Sequence, residues 1–202
     1  MKLKEFYKRH ERILLLLLVA AYFGIFFPLI NFLSRGRDAH VLLSSIDNQI
    51  PFIPWSMMVY LSAFFMPLLV YFFVKDMKLY HKMVISWMVV LSVAFFIYII
   101  YPVEVILRPD MSATIFRPVF EWYFVITPPY NSLPSLHVAQ PFLAAFFSFK
   151  ADKKYWWMFV WAALITVSIL FTKIHYFVDM IAGFALAVIV YLVVMRLMRD
   201  RR

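Results

Sequence analysis

The chain has no cysteine among its 202 residues, only 3 glycines and a charged fraction of 15%. The absence of cysteine excludes disulfides, thiolate metal sites and a cysteine nucleophile. So little glycine and so few charges, set against 65% hydrophobic and 20% aromatic residues, exclude an ordinary soluble globular domain. What fills the sequence instead is a series of long apolar runs. A helix rising about 1.5 Å per residue needs roughly 20 apolar residues to cross a hydrocarbon core of about 30 Å, so each run is a candidate membrane span.

The runs predict an all-α polytopic membrane protein, a single unit over residues 1–202 with six spans at about 13–33, 56–74, 83–101, 135–149, 155–172 and 176–197. The first run follows a basic stretch but is too long for a signal-peptide core and ends in Ser34-Arg35-Gly36-Arg37, so it is expected to remain as a span. With both termini cytoplasmic, all of the 20 lysines and arginines except Arg35, Arg37, Arg108, Arg117 and Lys173 fall on the inner side. That asymmetry obeys the positive-inside rule and explains the formal charge of +9 without invoking nucleic acid. Trp55, Trp122, Trp156 and Trp157 fall near expected span ends, where amphipathic rings favour the headgroup zone. The outer loop at 34–54 contains a mixed stretch from Ala39 to Ile50 that reads as a short surface helix. The fourth span is too short to cross fully, so a sunken polar pocket open to the outer side is expected at its outer end.

Three outer-side segments carry most of the polar residues: Tyr101 to Pro109, Asn131 to His137 and Thr172 to Asp179. Parity of the spans alone places all three on one face. His175 and Asp179, four apart, are read as sharing a helix face, the carboxylate orienting the imidazole and leaving its other nitrogen free. The same spacing also suits a purely structural pair. Pro134-Ser135-Leu136-His137 reads as the opening of a helix whose unpaired N–H groups suit an anion, with Ser135 either capping or facing a ligand and His137 in reach of a leaving oxygen. Arg108 and Lys173 flank these segments and suit a phosphate, although a lysine at an interface also snorkels without any ligand. Arg117-Pro118 is a second candidate clamp, while Glu104 and Asp110 suit solvated loop charges. A metal is not required by this set of residues, and no cofactor is expected. A Ser-His-Asp hydrolase built on Ser135 remains open, without a nucleophile elbow to recommend it.

Arg-Pro, Pro-Ser-x-His and His-x-x-x-Asp, spread over a six-span layout, together resemble the type 2 phosphatidic acid phosphatase superfamily of lipid phosphatases and phosphotransferases. Pro51-Phe52-Ile53-Pro54-Trp55, Pro134 to Ala139 and His175 to Asp179 are similar to the bacterial branch related to inositol phosphorylceramide synthases. The resemblance implies that His175 attacks phosphorus, Asp179 orients it, and His137 protonates the leaving alkoxide. It further implies that Arg108, Ser135 and the Leu136 N–H hold the phosphoryl oxygens. Leu136 stands where the family has glycine, and Ser168-Ile169 stand where it has Ser-Arg, so Lys173 is expected to replace the missing arginine. The expected activity is hydrolysis of a lipid phosphate monoester or diphosphate at the outer face of a bacterial inner membrane, on a phospholipid or polyprenyl phosphate. Head-group transfer is the alternative, and a non-catalytic transporter is a distant one.

Overall fold

The structure is a computed structural model. It describes residues 3–107, 109–112, 114–127 and 130–199, with side chains from His10 onward. Among the described residues it is all-helical, with only isolated backbone bridges between loops. The helices are α1 (Leu3–Ser34), α2 (Ser45–Gln49), α3 (Ser56–Leu61), α4 (Met66–Phe73), α5 (Met77–Ile100), α6 (Arg117–Ile126), α7 (Leu136–Ala151), α8 (Trp157–Phe171) and α9 (Phe177–Leu197).

Local chemistry sets the ends of these elements. The Asp76 carboxylate accepts the Leu79 N–H at 2.7 Å and starts α5, and Pro102 holds Tyr101 out of the helical region just past its end. In the second span, Pro67 has no N–H to give the carbonyl four residues back, and the chain there tightens into a 3₁₀ turn over Ser62–Phe65 between α3 and α4. Ser44 and Asp47 form a reciprocal capping box that fixes α2 inside the expected 39–50 stretch.

Five segments of the described chain are long and apolar enough to cross a membrane: His10–Ser34, Ser56–Phe73, Met77–Ile100, Lys153–Phe171 and Phe177–Leu197. The chain is an integral membrane protein by this measure, with five such helices rather than the expected six. The segment expected at 135–149 is α7, a helix of 16 residues, about 24 Å long at the usual rise. Its position accounts for its length. It packs against α4, α5, α8 and α9, burying Val138, Ala139, Leu143, Ala144 and Phe147, so it is sheathed by protein and need not match the lipid thickness on its own. A second difference lies at 102–134, which the sequence left without regular structure and where α6 forms. Ten residues are too few to register as a span. It folds by burying Phe120 and Tyr123 while Trp122 and Val125 face outward.

The bundle has two distinct ends. At one, Arg12 of α1 donates to the carbonyls of Tyr71 and Val74, the Tyr80 hydroxyl donates to the Arg12 carbonyl at 2.9 Å, and Phe73 stacks on Tyr155 at 4.0 Å. At the other, the loops are laced together. His40 exchanges backbone bonds with Pro102 and Glu104, the Ile53 N–H donates to the Phe171 carbonyl at 3.0 Å, and Asn131 bonds Asn31 and Ser34 at the end of α1.

Candidate active site

The second of these ends gathers the polar segments singled out in the sequence. His175 is not on a helix. Past α8, Lys173 takes a left-handed conformation at φ 59°, and α9 begins only after Tyr176. The sequence reading of His175 and Asp179 as one helix face is corrected accordingly: the pair meets across the start of α9. Asp179, fully buried, sits in the first turn, and its Oδ2 accepts both the Tyr176 N–H at 2.9 Å and His175 Nδ1 at 3.2 Å. A carboxylate is thus at once a helix cap and the partner of an imidazole. With Nδ1 so occupied, His175 Nε2 is left facing Ser135 Oγ at 3.4 Å.

Ser135 occupies the N-cap of α7 but makes no side-chain cap bond. Its N–H donates to the Asp179 carbonyl at 3.1 Å, and its hydroxyl turns to His175 instead. The Leu136 and His137 N–H groups stand in the first turn, where a helix supplies no acceptor. The Tyr98 hydroxyl steadies this entry by donating to the Pro134 carbonyl at 2.8 Å. Gly183 lets α9 come close: a Cβ there would overlap the Ser135 carbonyl oxygen and sit 3.1 Å from Val138 Cβ.

His137 projects from α7 toward His175, with the ring centroids 5.9 Å apart. Tyr60 stacks on its ring at 4.2 Å and places its hydroxyl 3.1 Å from His137 Nδ1. Both imidazoles border a cavity of about 240 Å³. Ser132 and Gln140 add polar side chains to its lining, and Leu136, Phe23, Phe27 and Phe64 add apolar ones. Among the described residues, the Ser132 hydroxyl is buried without a partner, as is Asp179 Oδ1.

The candidate cations are arranged otherwise. Arg108 lies outside the described residues. Lys173 does not border the cavity: its ammonium donates to the Asp47 carbonyl at 2.6 Å, and burial lowers its pKa against the opposing pull of the Asp47 charge. Arg117 is exposed and paired with Glu121 at 2.6 Å. Among the described residues, no lysine or arginine lines the cavity. Glu104 contributes through its backbone, whose carbonyl accepts the Tyr176 hydroxyl at 2.9 Å, and Asp110 closes a loop turn by accepting the Ser112 N–H at 2.8 Å.

Sequence reasoning missed Tyr60, Tyr98, Tyr123, Gly183 and Asp47. Asp47 accepts the Phe177 N–H at 2.7 Å and so ties α2 of the outer loop to the start of α9. The one available signal was that Tyr60 and Tyr98 lie within apolar runs, since a hydroxyl inside a membrane span needs a partner. With 12 tyrosines in the chain, most of them near span ends, that signal is faint.

Compared with protein families, residues 38–193 match the model of the PAP2 superfamily. No curated protein and no solved structure matches the chain.

Proposed function

Because the chain belongs to the PAP2 superfamily, whose membership points to phosphatase or phosphotransferase chemistry, we propose that it hydrolyses a lipid phosphate monoester or diphosphate through a phosphohistidine on His175. The observation that carries this reading is the pair of imidazoles on one cavity, 5.9 Å apart, of which only His175 is backed by a carboxylate. Asp179 orients the ring and stabilises the positive charge it gains when Nε2 bonds phosphorus. His137 then hands a proton to the departing alkoxide and takes one from the incoming water. In this reading the Ser135 hydroxyl, which meets His175 without bordering the cavity, and the Leu136 N–H hold phosphoryl oxygens as their charge grows, and the Ser132 hydroxyl on the cavity wall, unpartnered among the described residues, adds a donor.

Arg108 is the proposed cation for the phosphate, carried over from the Arg-Pro motif. Lys173, held by the Asp47 carbonyl, is better suited to clasping the outer loop than to gripping the ligand. The phenylalanines along the cavity suit a phospholipid or polyprenyl chain over a soluble ester. In this proposal residues 1–202 form one unit, α7 completes a sixth crossing, both termini are cytoplasmic, and the site opens to the outer face of a bacterial inner membrane.

The test is phosphate release by the purified protein in mixed micelles, across lipid monophosphates and diphosphates, with His175→Ala in parallel. Release by the wild type alone is expected; equal release by both would remove His175 from the mechanism. Transfer to an acceptor alcohol is favoured as a second reading by Gln140. It borders the cavity one turn past His137, and its carboxamide has no partner among the described residues, so it is free to bind a hydroxyl. The similarity of Pro134 to Ala139 to the inositol phosphorylceramide synthase branch points the same way. Phosphate chemistry that needs an added lipid alcohol would put transfer first.

A further inference from the structure

The two histidines differ in what stands behind them. His175 has a carboxylate at 3.2 Å, whereas His137 Nδ1 has the Tyr60 hydroxyl at 3.1 Å, which lies 2.5 Å from the Tyr123 hydroxyl. Tyr60 comes from α3, Tyr123 from α6 and His137 from α7, so three helices converge on this chain of contacts. Tyr60 is fully buried and Tyr123 nearly so, with Tyr123 also bordering the cavity. Phe64 meets the His137 ring nearly at a right angle, with centroids 5.6 Å apart.

Each phenol has a single proton. If Tyr60 spends its proton on Tyr123, its oxygen is left to accept the His137 Nδ1–H. That arrangement suits both the protonated ring and the neutral ring that keeps its proton on Nδ1, so no hydroxyl has to turn between steps. We propose that Tyr60, oriented by Tyr123, is a positioning residue that holds His137 with its proton on Nδ1 and leaves Nε2 as the only nitrogen exchanging protons in the cavity. The inference rests on the reading of the site as a phosphatase or phosphotransferase.

In the first half of that reaction the bond from His175 Nε2 to phosphorus forms and the bond from phosphorus to the leaving oxygen breaks. The His137 Nε2 proton goes to that oxygen and leaves a neutral ring. In the second half the oxygen of water or an alcohol bonds phosphorus, the phosphorus–nitrogen bond breaks, and the proton shed by the nucleophile returns to His137 Nε2. Nothing else is consumed. A carboxylate behind a ring favours its positive charge, whereas a neutral phenol orients the ring without holding on to the charge. Backing by Asp179 therefore suits the nitrogen that becomes cationic on phosphorylation, and backing by Tyr60 suits the ring that must give its proton away.

The experiment compares wild type, Tyr60→Phe, Tyr123→Phe and His137→Ala in micelles on two esters with the same alkyl tail. One is a long-chain alkyl phosphate, whose alkoxide needs a proton to leave; the other is a tail-bearing nitrophenyl phosphate, whose phenolate departs without one. Phenylalanine keeps the stacked ring, so both tyrosine variants retain the packing. Tyr60→Phe should lower kcat on the alkyl ester roughly 10- to 100-fold with KM within about twofold, while the first-turnover burst of nitrophenolate, which precedes the proton transfer from water to His137, keeps its rate within about threefold of wild type; Tyr123→Phe should show the same pattern more weakly. An equal loss in alkyl-ester turnover and in the rate of the nitrophenolate burst would reduce Tyr60 to a packing residue and overturn the proposal, and so would wild-type values of both. A wild type inert on both esters, with and without an added lipid alcohol, would sink the phosphatase and phosphotransferase readings, and this inference with them.

Discussion

Asp179 Oδ2 serves two donors at once, the Tyr176 N–H and His175 Nδ1, from a position with no solvent exposure. Asparagine can present one oxygen to the same two donors, but it puts an NH2 group in the place of Oδ1 and carries no charge to offset a phosphorylated imidazole. Asp179→Asn is therefore expected to leave a folded protein whose phosphate release falls by about 10² or more, by analogy with the loss of the orienting aspartate in a catalytic triad. Phosphate release measured beside a thermal midpoint checks this, and wild-type rates would remove the carboxylate from the mechanism. The sequence made Asp179, His175 and His137 legible because ionisable side chains beside apolar runs are costly and stand out. It did not make legible that Ser135 turns its hydroxyl to His175 and leaves its cap unmade. A cap and a ligand-facing hydroxyl look identical in one dimension.

The contact of α7 with α9 decides how close those residues come. Gly183 is where the helices touch, and Gly183→Ala would push a Cβ into the Ser135 carbonyl, which belongs to the backbone and cannot swing away. The expected cost is about 1–3 kcal/mol of stability from overpacking, together with a loss of at least about tenfold in phosphate release as His175 and Ser135 separate. Gly24 of α1 has open space around it, so Gly24→Ala should be neutral or slightly stabilising. Denaturation and activity assays of the two variants side by side check the pair; equal effects would deny Gly183 its packing role. Among the elements, the long spans were readable because mean apolarity alone marks them. The shortness of α7 was readable as well, while α6 was not: its 10 residues gain their stability from Phe120 and Tyr123 entering a core built by distant segments.

Across the whole molecule, the end held by Arg12, Tyr71 and Tyr80 lies opposite the end holding His137 and His175, and it is the end at which Lys75, Lys78, Lys150 and Lys153 enter or leave helices. If the positive-inside rule governs insertion, the site faces outward. The absence of cysteine makes this directly measurable with single introduced cysteines. Ser112→Cys should react with an impermeant maleimide in intact cells, whereas Asp152→Cys and Arg199→Cys should react only after permeabilisation. Because only α6 and α7 lie between positions 112 and 152, opposite labelling would establish that α7 crosses, and labelling of both from outside would overturn the sixth crossing. By itself the sequence determined the helical class, the long apolar spans, the basic end and the ionisable residues that stand out beside them, because each follows from local composition or from the cost of a charge beside lipid. Only the tertiary structure decided that His175 stands before α9, that Lys173 clasps the Asp47 loop away from the cavity, and that Tyr60 and Tyr123 stand behind His137. Those outcomes depend on which segments, far apart in the chain, supply hydrogen-bond partners at a shared point, and local sequence does not encode that distance.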